Sequence, residues 1–419
     1  MISTKRIATL LSVVAIVAAA CGGGASAAPT TAPATTGPSE TTAPTDPGMA
    51  PLSGSLTIWH AYGSSGGSAE FRAFSRILED LKAKYPDLQI EAIEQDFGQL
   101  YTNFETESGA GGGPDMYIAP NDNLGNEARG QYLVDLTGKI DDVLAASSEV
   151  SVAGSKVGDA VYMVPESLKA VAMYYDSAIV TTPPTTTDEL LAYVKGGGKV
   201  GLITGAYFGW GFYSAFGGAV FDAAGKCAAS ANSGVADAIS YVKALRDAGA
   251  LVDPDYGKVN DAFLSGKIDI MLNGNWTLGD YKAARPALAV GPVPAGPGGP
   301  ARTMTGVDGW YINAASKNVD LAIAVAKELV SAAAQRTYVD IAGHVPANTS
   351  ITVLDPLVKS FTDAILTGEA RPQSAEFGNY WGPFGDAWNK VLPADGSAGS
   401  DAAAEVAAAC GLMDTANNK

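Results

Sequence analysis

An alternation of strand and helix patterns begins at residue 54 and constrains the fold more than any other feature. Leu56–Trp59 alternates apolar and polar residues and contains β-branched ones, which is typical of a strand. An apolar series at helical spacing follows and predicts a helix that ends at Pro86: Phe71, Phe74, Leu78, Leu81 and Tyr85. Further strands are predicted at Leu88–Ile93 and Met116–Ala119. Strands that alternate with helices indicate an α/β fold with a parallel sheet.

The same pattern continues along the rest of the chain. Helices are predicted over residues 188–193, 236–248 and 321–334. A strand is predicted at Ile268–Leu272, and the Pro- and Gly-rich residues 292–300 form a connector. The tail from Asp355 onward is predicted to be mostly helical, with breaks at Gly and Pro.

Composition and charge exclude several classes of function. Of the 419 residues, 47% are hydrophobic and 17% are charged, which excludes a wholly disordered chain. The formal net charge of −17 repels phosphate backbones, so we expect no nucleic-acid partner. His60 and His344 are the only histidines, which makes a zinc site with three imidazoles impossible. We expect neither a metal nor a cofactor, since no phosphate-loop, dinucleotide or calcium-loop motif is present.

The first fifty residues have the pattern of an export signal and a tether. Two basic residues precede an apolar run at residues 7–17, which predicts a signal peptide over residues 1–20. That run is shorter than the ~20 residues of a membrane span. Cys21 follows three alanines and resembles the lipidated cysteine of bacterial lipoproteins, although an ordinary cleavage site with an incidental cysteine is the alternative. Residues 21–50 are rich in Gly, Ala, Thr, Pro and Ser and are predicted to form a flexible linker. We therefore expect an extracytoplasmic protein anchored to the cell membrane by a lipid.

The remaining two cysteines predict a disulfide. If Cys21 carries the lipid, Cys227 and Cys410 are the thiols that remain in an oxidising compartment. We expect them to be bonded to each other.

A Gly/Ser loop after the first strand permits two interpretations. Residues 63–67 match G-x-S-x-G, the nucleophile elbow of serine hydrolases, for which His344 is the available base for Ser65. The simpler hypothesis is a loop at a helix N-terminus, where backbone N–H groups and the hydroxyls of Ser64 and Ser65 contact a ligand. A secreted serine hydrolase therefore stays as the alternative of another class.

Four tryptophans lie beside Gly, Asn or Pro instead of within periodic apolar stripes: Trp210, Trp276, Trp310 and Trp381. This setting indicates exposed rings, and an apolar ring face suits the C–H face of a sugar while neighbouring amides bind its hydroxyls. For each ring, a place in the core is the alternative, because tryptophan is highly buried on average.

Five segments have, in this order, the motifs of one family: Gly54–His60, Gly113–Ile118, Gly130–Leu136, Val164–Asp176 and Ala262–Trp276. They resemble the extracytoplasmic sugar-binding proteins of ABC importers, the maltose-binding-protein-like family. The resemblance implies a periplasmic-binding-protein-like α/β fold with two lobes, a hinge near Pro165 and Gly298 and a ligand cleft. It implies a monomeric, non-catalytic protein that binds an oligosaccharide of the maltodextrin or a related type and delivers it to the permease subunits. The implied boundaries are residues 51–165 and 304–350 for lobe one, and 168–298 and 355–419 for lobe two.

The resemblance also implies site residues. Trp276 and Trp381 match stacking positions, and Tyr207 and Asp122 match a tyrosine and an aspartate of the maltose-type site. Asn121, beside Asp122, is included in the predicted site. Lys169 replaces a glutamate of that site, so it pairs either with an anionic ligand group or with a carboxylate of the protein, Glu166 or Asp122. The first possibility keeps a polyol phosphate or another anionic solute as the alternative ligand.

Overall fold

The computed structural model describes residues 51–63 and 67–419. The predicted signal peptide, Cys21, the linker, Ser64 and Ser65 all lie outside the described residues.

The described residues form fourteen strands: β1 Gly54–His60, β2 Leu88–Glu94, β3 Met116–Pro120, β4 Lys156–Val157, β5 Ala160–Val161, β6 Val164–Lys169, β7 Val171–Asp176, β8 Val200–Ile203, β9 Leu251–Asp253, β10 Ile270–Gly274, β11 Leu288–Gly291, β12 Met304–Ile312, β13 Val345–Pro346 and β14 Glu369–Ala370. They also form sixteen α-helices: α1 Ala69–Lys84, α2 Leu100–Gly109, α3 Leu124–Arg129, α4 Asp141–Ala146, α5 Glu149–Gly154, α6 Thr187–Lys195, α7 Trp210–Ala215, α8 Gly234–Asp247, α9 Tyr256–Leu264, α10 Leu278–Ala284, α11 Val319–Leu329, α12 Ala332–Ala342, α13 Pro356–Thr367, α14 Ala375–Gly378, α15 Trp381–Val391 and α16 Ala402–Ala416. A short 3₁₀ helix, Asn275–Thr277, joins β10 to α10.

The first sheet has the strand order β13-β6-β12-β3-β1-β2, with β14 joined to β12. Strands β1, β2 and β3 are parallel, whereas β12 runs antiparallel to both β3 and β6. The expectation of a parallel sheet is therefore wrong, because the sheet is mixed. The chain enters β12 from a connector that comes from the second sheet. No crossover helix links β12 to its neighbours in the first sheet, so β12 does not have to run parallel to them.

The second sheet has the order β11-β7-β10-β8-β9, in which β8, β9 and β10 are parallel and β7 is antiparallel to β10. We call the part of the chain built on the first sheet lobe one and the part built on the second sheet lobe two. The C-terminal helices α15 and α16 pack in the core of lobe two. None of the helices in the described part of the chain is both long enough and apolar enough to cross a bilayer.

The chain first passes between the sheets at Ala170, the residue that separates β6 from β7. The side chain of Asn275 holds this crossing: its Oδ1 accepts from the N–H of Ala170 at 3.1 Å, and its Nδ2 donates to the carbonyl of Leu168 at 3.0 Å. β14 belongs to the first sheet, although its residues fall in the range that the resemblance implies for lobe two. The chain therefore returns to lobe one once more before it ends in lobe two.

Two further expectations concern helix bounds and the disulfide. The helix predicted over residues 321–334 is two helices, because the hydroxyl of Ser331 accepts from the N–H of Ala334 and caps a new helix. The predicted disulfide is confirmed, since Cys227 and Cys410 are bonded with their Cα atoms 5.3 Å apart. It ties α16 to the loop that precedes α8.

Candidate functional site

Aromatic rings of lobe two form one wall of the candidate site. The ring of Tyr207 lies 6.0 Å from that of Trp276, and Phe208 lies 6.3 Å from the same indole. Trp276 is partly exposed, and its Nε1 donates to the hydroxyl of Tyr256 at 3.0 Å. Gly274 permits this position, because a Cβ there would lie 1.9 Å from the indole ring. The glycine beside Trp276 therefore allows the ring to lie against the backbone and keep the rest of its surface exposed.

Trp381 is the first residue of α15 and is also partly exposed. Its ring contacts Phe377 and Tyr380 edge-on, at 5.1 and 5.3 Å between centroids. Within the described chain its Nε1 has no hydrogen-bond partner. Trp381 thus offers a partly exposed ring, while its indole N–H is buried.

Arg371 joins these rings to lobe one. Its guanidinium carbon lies 5.4 Å from the centroid of Tyr207 and 5.9 Å from that of Trp381, so the cation contacts both rings. Arg371 forms an ion pair with Asp122 and donates to Oδ1 of Asn121 at 3.0 Å. Burial acts to lower the pKa of Arg371, but Asp122 and its other neighbours outweigh burial and raise it. A fixed cation therefore lies where the two lobes meet.

Sequence reasoning missed Arg371. It follows β14, a strand of two residues that pairs with the start of β12, and no helical or strand periodicity marks this segment. The one local signal is the following Pro372, a break in the helical tail. The side chain of Arg371 reaches Asn121 and Asp122 only because β12 brings this segment beside β3.

A cluster of buried charges lies beside the aromatic wall. Lys169 forms ion pairs with Glu70 at 2.6 Å and with Asp308 at 3.2 Å. His344 contacts Glu70 through Nε2 at 2.7 Å and Glu166 through Nδ1 at 3.2 Å. Lys169 is followed by Ala170, whose N–H donates to Asn275, the residue before Trp276, so the backbone of the cluster is tied to that of the aromatic wall.

The pKa values in this cluster follow from burial and ion pairing. Burial alone would raise the pKa of Glu70, but Lys169 and His344 lower it to about 2. Burial raises the pKa of Asp308 to about 6, against the opposing charge of Lys169. Burial and Lys169 act to lower the pKa of His344, yet Glu166 and Glu70 outweigh them and raise it. The two carboxylates therefore favour the protonated form of His344.

A family model for bacterial extracellular solute-binding proteins matches residues 65–336, which is more than half of the chain. The chain belongs to this family. Its relatives include the maltotriose-binding protein of Pyrococcus abyssi, which is 26% identical over 361 residues covering 81% of this chain and 78% of the relative. Another is a maltooligosaccharide ABC transporter solute-binding lipoprotein of Streptococcus pneumoniae R6, 24% identical over 318 residues, which cover 68% and 74% of the two chains.

Among solved structures, the maltotriose-binding protein of Thermus thermophilus bound with maltotriose aligns with a TM-score of 0.77 at 27% identity. The alignment covers 86% of this chain and all of that one. This likeness confirms the predicted periplasmic-binding-protein-like fold with two α/β lobes.

The solute-binding protein brings together four of the predicted site residues: Tyr207, Trp381 and Asp122 contact Arg371, and Trp276 contacts Tyr207. Asn121 does not offer its side chain to a ligand, since it is 1% exposed. Its amide donates to the carbonyl of Gly154 at 3.0 Å and accepts from the N–H of Val307 at 3.1 Å. Asn121 therefore supports Arg371 from behind.

Two of the four tryptophans are not exposed rings. Trp310 is 0% exposed within β12, and its ring lies 6.1 Å from that of Phe74 in the core of lobe one. Trp210 is also buried, and its Nε1 donates to the carboxylate of Glu369 at 2.9 Å. The expectation of an exposed stacking ring is wrong for both, because each side chain points into a core.

Lys169 and His344 are both committed to protein carboxylates. The partners of Lys169 are Glu70 and Asp308, not the predicted Glu166 or Asp122. Both ring nitrogens of His344 are occupied, and the residue is fully buried. His344 therefore has no nitrogen free to act as the base for Ser65, which lies outside the described residues.

Proposed function

We propose that this solute-binding protein binds an oligosaccharide of the maltodextrin or a related type between its lobes and delivers it to the permease of an ABC importer. It catalyses no reaction in this role. Relatives named for maltotriose and for maltooligosaccharide ABC transport support the ligand class and the importer. The importer releases the sugar on the other side of the membrane, so the protein needs only to bind and to let go.

The observation that carries the proposal is the arrangement of three partly exposed rings, two of them in contact with one ion pair. Tyr207, Trp276 and Trp381 present apolar faces, while the partly exposed carboxylate of Asp122, held in place by the buried Arg371, presents acceptors beside them. A sugar has just these two kinds of surface: C–H faces that pack on rings and hydroxyls that bind planar polar groups. The rings come from lobe two and Asp122 from lobe one, so a ligand held by both stabilises the closed form.

The anionic alternative loses the observation that favoured it. Lys169 is 4% exposed and is paired with two carboxylates, so it has no charge to offer to a phosphate. The remaining cation, Arg371, is balanced by Asp122. A neutral ligand fits this site better than an anionic one.

A thermal-shift experiment tests the ligand class, since a ligand of the native state raises the melting temperature. We expect maltotriose or maltotetraose to raise the melting temperature of the protein, and glucose 6-phosphate to leave it unchanged. A rise with the phosphate alone would support the anionic alternative. No rise with any maltodextrin would contradict the proposal.

The predicted anchor completes the proposed function. Lipid attached to Cys21 would hold the protein at the membrane, and residues 21–50 would let a monomeric binding unit reach the permease. Cys21→Ala should move the protein from the membrane fraction into the culture fluid. Wild-type protein found mainly in the culture fluid with an unmodified N-terminus would contradict lipidation.

A further inference from the structure

One face of α16 is held against the loop that precedes α8. Cys410 and Asp414 lie one turn apart on this helix, so their side chains share that face. Cys410 is bonded to Cys227, and Oδ1 of Asp414 accepts from the backbone N–H of the same Cys227 at 2.8 Å. The loop is therefore joined to α16 both by the disulfide and by a hydrogen bond.

The same face of α16 continues to Asn417, the residue that caps the end of the helix, and there it contacts α14. Oδ1 of Asn417 accepts from the side-chain amide of Asn379 at 2.7 Å, and its Nδ2 donates to the carbonyl of Glu376 at 3.2 Å. Lys419 adds an ion pair with the carboxylate of Glu376 at 3.2 Å. We call Asn417 and Lys419, together with the disulfide of Cys410, the α16 clasp.

The helix that the α16 clasp holds leads to a ring of the candidate site. α14 has four residues, and a helix of this length is not stable by itself. Its Phe377 lies 5.1 Å from the ring of Trp381 and 6.2 Å from that of Phe221, which belongs to the loop bonded to α16. Its Gly378 lies against lobe one, because a Cβ there would be 2.7 Å from Oδ1 of Asn126. The place of α14 is therefore set by partners outside it.

The indole of Trp381 depends on α14 for its position. Within the described chain its N–H has no hydrogen-bond partner, so the ring is fixed by its packing against Phe377 and Tyr380. A shift of α14 therefore shifts the ring. A ring that is already held in its stacking position loses little freedom when a sugar binds, which favours affinity.

We propose that Asn417, as part of the α16 clasp, is a positioning residue for Trp381, so that sugar affinity depends on the end of α16. This inference rests on the proposed function and adds to it a residue that acts on the ligand through another side chain. Asn417 holds the end of α14, α14 holds Phe377, and Phe377 packs against the indole.

A double-mutant cycle with Asn417→Ala and Trp381→Ala tests the proposal, because it separates an effect that passes through the indole from general damage to the fold. Asn417 is partly exposed, so its truncation should leave the protein folded, which urea unfolding checks. Thr415→Ala is the matched control, since Thr415 is exposed on α16 and its hydroxyl donates to the carbonyl of Gly411 in the same helix. Calorimetry measures the affinity of each protein for maltotriose.

We expect Asn417→Ala to weaken maltotriose binding about fivefold when Trp381 is present, because the ring keeps only part of its stacking contact. In the Trp381→Ala background the same change should cause no further loss. Asn379→Ala removes the other partner of the same hydrogen bond and should give the same pattern, so it replaces Asn417→Ala if that variant does not fold. Thr415→Ala should bind as the wild type does.

Two kinds of result would overturn the proposal while leaving sugar binding intact. One is an unchanged affinity in Asn417→Ala or in Trp381→Ala. The other is an equal loss from Asn417→Ala in both backgrounds, which would show that Asn417 does not act through the indole. Failure of the wild type to bind any maltodextrin would instead contradict the proposed function itself.

Discussion

The side-chain oxygen of Asn275 accepts a hydrogen bond from the backbone N–H of Ala170, the residue at which the chain first passes from one sheet to the other. Asn275 is 0% exposed and is followed directly by Trp276. Asn275, which binds the crossing at Ala170, is therefore next in the chain to Trp276 of the aromatic wall.

Asn275→Ala should lower the free energy of unfolding by about 1–3 kcal/mol, because it leaves the N–H of Ala170 and the carbonyl of Leu168 buried without this partner. Urea unfolding measures the change. Asn389→Ala is the control, since Asn389 is exposed on α15. A loss no greater than that of the control would show that the crossing does not depend on Asn275.

Arg371→Lys should weaken maltodextrin binding by about tenfold while the charge is kept, because a lysine lacks the planar group that contacts two rings and Asn121 together. Arg371→Ala should instead destabilise the fold by about 3–5 kcal/mol, since Asp122 loses its buried partner. Calorimetry and thermal unfolding of both variants separate the two effects. Unchanged affinity in Arg371→Lys would remove Arg371 from the site.

Trp276→Ala and Trp310→Ala should behave oppositely, although both tryptophans stand near a glycine. Trp276 is partly exposed, so its loss should cost about 1–3 kcal/mol of binding and little stability. Trp310 is fully buried, so its loss should cost about 3–5 kcal/mol of stability. Binding of maltotriose and urea unfolding measure both quantities. If the Trp276→Ala protein unfolds, or if it binds maltotriose as tightly as the wild type does, the indole of Trp276 is a core side chain and not part of the binding site.

Glu127 should make stability fall as the pH rises. Burial raises its pKa from 4.5 to about 8, although the hydroxyl of Tyr117 donates to it and opposes the shift. Between these two values the native state holds a proton that the unfolded state releases, so the free energy of unfolding decreases by at most about 1.4 kcal/mol per pH unit. Glu127 therefore causes no change in the free energy of unfolding below pH 4.5, and its full destabilising effect is reached above about pH 8.

Glu127→Gln should remove this decrease, because an amide does not titrate. Denaturant unfolding at pH values spanning the window compares it with the wild type and with Glu107→Gln, an exposed residue of α2. A slope that persists in Glu127→Gln would assign the titration to another group.

Local pattern predicted the elements well and the site only in part. The first strand and the helix that ends before Pro86 were predictable because their apolar residues repeat at strand and helix spacing over a short stretch of sequence. The structure contains both, as β1 and α1. The burial of Trp310 and the exposure of Trp276 are not local properties, since one lies inside a strand covered on both faces and the other follows a strand end.

The partners of Lys169 show the same limit. Glu70 and His344 lie 99 and 175 positions away along the chain, and they meet Lys169 only through the arrangement of the first sheet. A sequence gives the charge of each residue but not which charges share a buried space. Sequence reasoning missed Arg371 for this reason, since its partners Asn121 and Asp122 directly follow β3, about 250 positions earlier in the chain.

The place of β12 has a consequence for how the protein is made. This strand lies between β3 and β6 in the first sheet, yet it comes after every strand of the second sheet in the chain. Until the chain from residue 304 onward has been synthesised, the edges of β3 and β6 have no strand between them, and open strand edges can pair with other chains. Lobe one therefore cannot finish folding until every strand of the second sheet has been synthesised.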